Sequence, residues 1–237
     1  MSLLSSSGDI VGNDTTDEFA SKLAAAVTPA FGSGFANSLL KLYDLPPARS
    51  GRGAEHTTTM QLKYANVLSD GEELCNNLAL ASVWAPYFAS AKTPLYTYGV
   101  TQRPGNPFCA LKSFELHPYC PTFSFHGIDM FALFGWLPPS RGGVTYNVTA
   151  EDMAFTALVR ARFIEFATNG TIASWPEFRR TPMAMPSGRT GPPRSIQSGY
   201  DVVNLAIGGD VADTDLRVEQ CNLFLSRGFY DNKSWVN

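Results

Sequence analysis

Apolar residues recur at helical spacing in five stretches of the chain. Asp17 to Val27 is Ala-rich and amphipathic, which predicts a helix ended by Pro29, and Ser33 to Tyr43 predicts a second, stopped by Pro46 and Pro47. Leu74, Leu78, Ala81 and Ala85 share one face of a predicted helix over Asp70 to Ala85, with Pro86 beyond it. The clearest case follows Thr149 and Asp152, a capping-box pair. There Ala154, Ala157, Leu158, Ala161 and Ile164 line one face, and Asn169-Gly170 supplies the stop. Arg217 to Leu225 predicts a last helix. Strands are predicted at Asp9 to Val11, at Leu95 to Val100 between Pro94 and Pro104, and at Val202 to Ile207. Arg49 to His56, Gly105 to Pro121 and Thr181 to Ser198 read as loops. Helices alternate with strands, so the expected class is α/β. With no repeat and no linker-like boundary, residues 1–237 are expected to form part of a single domain.

Composition narrows the possibilities. The chain is 44% hydrophobic and 16% charged, which suits a large packed core and not a disordered segment. A net charge of −3 without any basic block gives nucleic acid no electrostatic footprint. No apolar run reaches the length of a membrane span. The even set of four cysteines and the N-x-[ST] sequons at Asn13, Asn147, Asn169 and Asn232 point to an oxidising, secreted setting and to glycosylation. Met1 to Gly8 nevertheless lacks the basic start and apolar run of an export signal, so the true N-terminus is expected to lie upstream.

Candidate chemistry begins with three histidines. His56 lies among threonines in a polar loop and reads as exposed and inert. His117 sits between Cys109 and Cys120. A zinc cluster there would need a fourth ligand and tighter spacing, so a local Cys109–Cys120 disulfide is the better reading, with no metal and no cofactor expected. His126, followed by Gly127 and apolar residues, reads on spacing alone as a core histidine.

The stretch Phe125 to Gly135 (F-H-G-I-D-M-F-A-L-F-G) resembles the segment around the active-site histidine of type B carboxylesterases and cholinesterases. In the same order, Pro94 to Tyr98 resembles that family's L-Y-x-Y strand, and Phe166 to Gly170 its F-A-x-x-G helix end. Trp175 to Phe178 resembles its W-P-x-[FY] element, and Tyr200 to Leu205 its final strand. The resemblance spans nearly the whole chain and implies the C-terminal half of an α/β-hydrolase fold, an incomplete central sheet flanked by helices. It further implies a Cys75–Cys221 disulfide, His126 as the catalytic base and Glu18 as the acid that orients it, with Asp17 the alternative. Phe19 departs from the family, which has glycine there. If neither acid serves the triad, both are surface acids at a helix N-terminus.

No G-x-S-x-G and no H-G-G-G-like oxyanion loop occurs. The one glycine pair at the right spacing, Gly8 and Gly12, has Ile10 at its centre. The chain is therefore expected to supply the acid and the histidine of a Ser-Glu-His triad but not the serine. Its implied partners are a small-molecule carboxylic ester and an N-terminal half that completes the fold. Without that half it is expected to expose apolar faces and an unpaired strand edge, and to be unstable alone. A non-catalytic adhesion or binding domain on the same scaffold is the alternative. Trp84, Tyr87, Tyr96 and Trp136 are expected in the core.

Overall fold

A computed structural model describes residues 15–45, 63, 66–67, 69–108, 122–125, 127–135, 146–178, 202–213 and 216–226. The expected strand at Asp9 to Val11, the loops at Arg49 to His56 and Thr181 to Ser198, and Trp136 lie outside them. Six α-helices and a small mixed sheet make the described part α/β in class. The residues gather into two compact units, each assembled from segments far apart in sequence: 1–87 with 180–199 and 215–237, and 88–179 with 200–214.

The first unit is helical. Helix α1 (Thr16–Phe31) buries Phe19, Ala20, Leu23 and Val27 on one face, and α2 (Ser33–Leu42) buries Phe35, Ala36, Leu39 and Leu40 against it. Pro29 does not end α1, contrary to expectation; it lies within the last turn. The stop is Gly32, whose φ of +81° turns the chain out of α1 and directly into α2. A π-helical stretch (Ser69–Leu74) runs into α3 (Cys75–Ser90), which buries Leu78, Ala81 and Ala85 as the spacing predicts. Pro86 again sits inside the helix and not beyond it. A proline removes one backbone donor and crowds one carbonyl, a local loss that packing of the buried face outweighs here. Helix α6 (Val218–Ser226) closes the unit, with Phe224 against Phe35 at a centroid distance of 6.1 Å. Burying one such ring contributes about 1.5–3 kcal/mol.

The second unit holds the sheet. Strand β1 (Tyr98–Val100) pairs in parallel with β2 (Val202–Leu205), in register Tyr98 to Val203 and Val100 to Leu205. Strand β3 (Val211–Asp213) adds antiparallel to β2, giving the order β1-β2-β3. Regular pairing begins at Tyr98 and not at Leu95, although the Thr97 carbonyl still accepts from the Val203 amide at 3.0 Å. The connection from β1 to β2 carries α4 (Ile128–Phe134) and α5 (Ala150–Asn169). Val203 and Leu205 pack with Ile128, Phe155 and Val159 around Phe108, whose ring lies 4.9 Å from Phe125 and 4.6 Å from Tyr146.

Helix α5 corrects the predicted face. Asp152, Phe155, Thr156 and Val159 are the buried positions, whereas Ala154, Ala157, Ala161 and Ile164 are exposed and Leu158 is half-buried. Both stripes have helical spacing, so periodicity cannot choose between them. The choice falls to the face that carries Phe155 and Val159 into the aromatic core, with its two polar members satisfied: Asp152 at the cap, and Thr156, whose hydroxyl donates to the Asp152 carbonyl at 2.9 Å. Trp84 and Tyr87 likewise depart from expectation, being 47% and 62% exposed, while Tyr96 packs against the core of its unit.

Candidate active site

Glu18 occupies the third position of α1. Its Oε2 accepts from the Thr15 backbone amide and from the Thr15 hydroxyl, both at 2.8 Å, while its own amide donates to Thr15 Oγ1 at 3.2 Å. The carboxylate is exposed and closes a reciprocal capping box that satisfies two donors at the helix start. Asp17 is half-buried in the same first turn. His126, His56 and His117 lie outside the described residues, as do Cys109, Cys120, Asn13 and Asn232.

On either side of His126 stand Phe125 and Gly127. Phe125 is buried, and its carbonyl accepts from the Ile128 amide at 3.1 Å. Gly127 adopts φ +82°, a left-handed conformation that disfavours any side chain, and it caps α4. In the first turn of α4, Asp129 accepts from the Tyr98 hydroxyl at 2.7 Å, tying the histidine segment to β1. Burial, then the hydrogen bond to Asp129 and its charge, push the Tyr98 phenol far above its ordinary pKa, so it remains a donor. At the other end of α4, Gly135 at φ +87° makes the stop, and Arg160 from α5 donates to the Leu133 carbonyl at 2.9 Å.

Cys75 and Cys221 are brought together as a disulfide across a separation of 146 residues, the pairing the resemblance implies. Beside it, Asp70 is buried, accepts from the Tyr43 hydroxyl at 2.6 Å and pairs with Arg217 at 3.6 Å. Burial raises the Asp70 carboxyl above its usual range, against the pull of Arg217 and the Tyr43 hydrogen bond. Arg217 reaches it from a left-handed backbone conformation, φ +58°, at the entry to α6.

Two further polar clusters in the second unit escaped sequence reasoning. Asp152 accepts from the Thr149 amide and hydroxyl at 2.8 Å, from Tyr146 at 2.8 Å and from the Gly105 amide at 2.9 Å. A Cβ on Gly105 would collide with the Thr149 side chain, which explains the glycine. Asp210 accepts from Arg162 Nε at 2.6 Å and from Trp175 Nε1 at 2.7 Å, pinning the β2–β3 turn to α5. Only the Thr149–Asp152 half of the first cluster carried a local signal. The Asp152 cluster is filled by protein donors, whereas in the second both donors converge on Asp210 Oδ2 and the buried Oδ1 has no hydrogen-bond partner among the described residues.

Among the described residues no group of three or more His, Cys, Asp or Glu side chains could hold a metal ion, and no helix is long and apolar enough to cross a membrane. Asn147 and Asn169 are both exposed. No family model matches the chain, and no curated protein matches it either.

Proposed function

We propose that the chain is the C-terminal part of a secreted carboxylic-ester hydrolase with a cholinesterase-like α/β-hydrolase fold, contributing Glu18 (or Asp17) and His126 to a triad whose serine lies outside it. The Cys75–Cys221 disulfide carries this reading, because nothing local in the sequence pairs those two cysteines and only the resemblance does. The parallel pairing of β1 with β2 and the left-handed Gly127 after His126 support it further. So do the exposed Ala154, Ala157, Ala161 and Ile164, apolar positions that an N-terminal half could cover. In the complete enzyme the acid accepts the histidine Nδ1–H and fixes its tautomer. Nε2 then takes the serine proton as the ester carbonyl is attacked, and the acid stabilises the imidazolium that forms.

One observation favours a second reading, a non-catalytic binding or adhesion domain: the Glu18 carboxylate is engaged in capping its own helix. Sequencing the transcript upstream of Met1 separates the two. A frame encoding G-E-S-x-G supports the hydrolase. The protein it encodes should then hydrolyse a p-nitrophenyl ester, with His126→Ala and Glu18→Gln each lowering kcat by roughly three to four orders of magnitude. A frame in which that serine is replaced sinks the hydrolase and leaves the binding domain.

A further inference from the structure

Two of the four sequons lie on described residues, at opposite ends of α5, and their surroundings differ. Asn147-Val148-Thr149 precedes the helix. Asn147 is exposed, but its carbonyl accepts from Asn106 Nδ2 at 2.8 Å and Val148 packs against the core. The Thr149 hydroxyl donates to Asp152 Oδ2 at 2.8 Å and accepts the Asp152 amide at 3.1 Å, with the Gly105 backbone directly against its side chain. Asn169-Gly170-Thr171 ends the helix, and all three residues are exposed. There the Gly170 amide donates a cap bond to the Phe166 carbonyl at 2.8 Å, and Gly170 already has the left-handed φ of +70°. The chain is next anchored only beyond the sequon, at buried Ile172, whose amide donates to the Tyr96 hydroxyl at 3.2 Å.

Glycan transfer requires the tripeptide to open out so that the transferase can grip the hydroxyl at the third position. At Asn169 this needs only fraying of a terminal helical turn, the least stable part of any helix. At Asn147 it needs Thr149 withdrawn from the cap and Val148 from the core, which undoes the cluster around Asp152. We infer that, of the two sequons on described residues, Asn169 is the one that carries an N-linked glycan, and that folding closes the Asn147 sequon by locking Thr149 into the α5 cap. In the transfer, Asn169 Nδ2 bonds to the anomeric carbon of an oligosaccharide carried on a polyprenyl diphosphate. The bond from that carbon to the diphosphate oxygen breaks, polyprenyl diphosphate leaves, and one amide proton passes to a base of the transferase. The site depends on export through an oxidising compartment and not on ester hydrolysis, so its failure would leave the triad untouched.

The test is to express the whole chain behind an export signal in eukaryotic secretory cells. Occupancy of each sequon is then mapped by mass spectrometry on the monomeric fraction containing the Cys75–Cys221 bridge. Asn169 should be occupied in most molecules and Asn147 roughly five-fold less often. Thr171→Ala should remove the Asn169 glycan alone. Asp152→Ala should raise Asn147 occupancy while leaving Asn169 unchanged. Tyr146→Phe, which deletes one donor to Asp152 and keeps the ring, should move Asn147 in the same direction if the harsher variant does not fold. An empty Asn169, equal occupancy at the two sites, or no response of Asn147 to either variant overturns the inference.

Discussion

Asp70 and Asp152 are the two buried aspartates of the described residues, one in each unit, and they are held in opposite ways. Asp152 is surrounded by neutral donors: two from Thr149, one from Tyr146 and one from the Gly105 backbone. It also sits at a helix N-terminus, where the aligned peptide dipoles favour a negative charge. Asp70 accepts from the Tyr43 hydroxyl and faces the Arg217 cation, which is delivered from a left-handed backbone position across most of the chain length. Saturating a carboxylate with oriented neutral donors satisfies its lone pairs locally. Opposing it with a distant charge leaves its desolvation incompletely offset, and the Asp70 carboxyl is raised as a result. The first arrangement is written mostly in adjacent residues, with Gly105 added from far along the chain; in the second, both partners are distant in sequence and each lies near one cysteine of the disulfide.

The comparison can be broken most forcefully at that disulfide. Replacing Cys75 and Cys221 together with serine should lower the stability of the helical unit by about 3–5 kcal/mol, read from urea unfolding followed by fluorescence. A shift below about 1 kcal/mol would mean that the helices hold Asp70 and Arg217 together without the bridge. Asp152→Ala should come next, at about 3–4 kcal/mol, because it strands Tyr146 and the Gly105 amide along with the helix cap. Loss of only the cap's share, about 1 kcal/mol, would show that water replaces the carboxylate freely.

Asp70→Asn, which removes the buried charge and keeps an acceptor for Tyr43, should change stability by less than about 1 kcal/mol at neutral pH, and it sharpens the contrast through pH. With the folded carboxyl raised above 3.8, the folded chain keeps a proton that the unfolded chain has already released. This contribution is complete below the unfolded value and is lost as pH rises through the folded one. The stability advantage of the parent protein over Asp70→Asn should therefore shrink as pH rises from about 3.8 upwards. A gap that widens would reverse the assignment. The smallest effect is expected at Ile164→Asp on the exposed stripe of α5, within about 0.5 kcal/mol in the isolated chain. A loss of several kcal/mol in a longer form carrying an N-terminal half would identify this face as covered there.

Legibility followed range. Thr149 and Asp152 announced the α5 cap three residues apart, and Gly170 its end, and both stand as read. The helices at Ser33 and around Leu78, Ala81 and Ala85 were equally plain. Pro29 and Pro86 misled, because a proline's local penalty is smaller than the packing of the faces that contain them. The α5 stripe misled for a different reason: Ala154, Ala157, Leu158, Ala161 and Ile164 have the right period but not the bulk of Phe155 and Val159. Of the candidate site, the cysteine pair and the glycine after His126 were legible through family resemblance. The Tyr98–Asp129 hydrogen bond and the capping role of Glu18 required coordinates.

From the residues alone come the α/β class, the Thr149 start and Gly170 stop of α5, and the absence within the chain of a G-x-S-x-G nucleophile. Each depends on neighbours within a turn or two, where backbone geometry links residue type directly to conformation. Tertiary structure decided which face of α5 is buried, that Cys221 meets Cys75, and that Arg217 meets Asp70. Those outcomes depend on how a whole set of faces shares one core, and burial is a property of the assembled set that no local window contains.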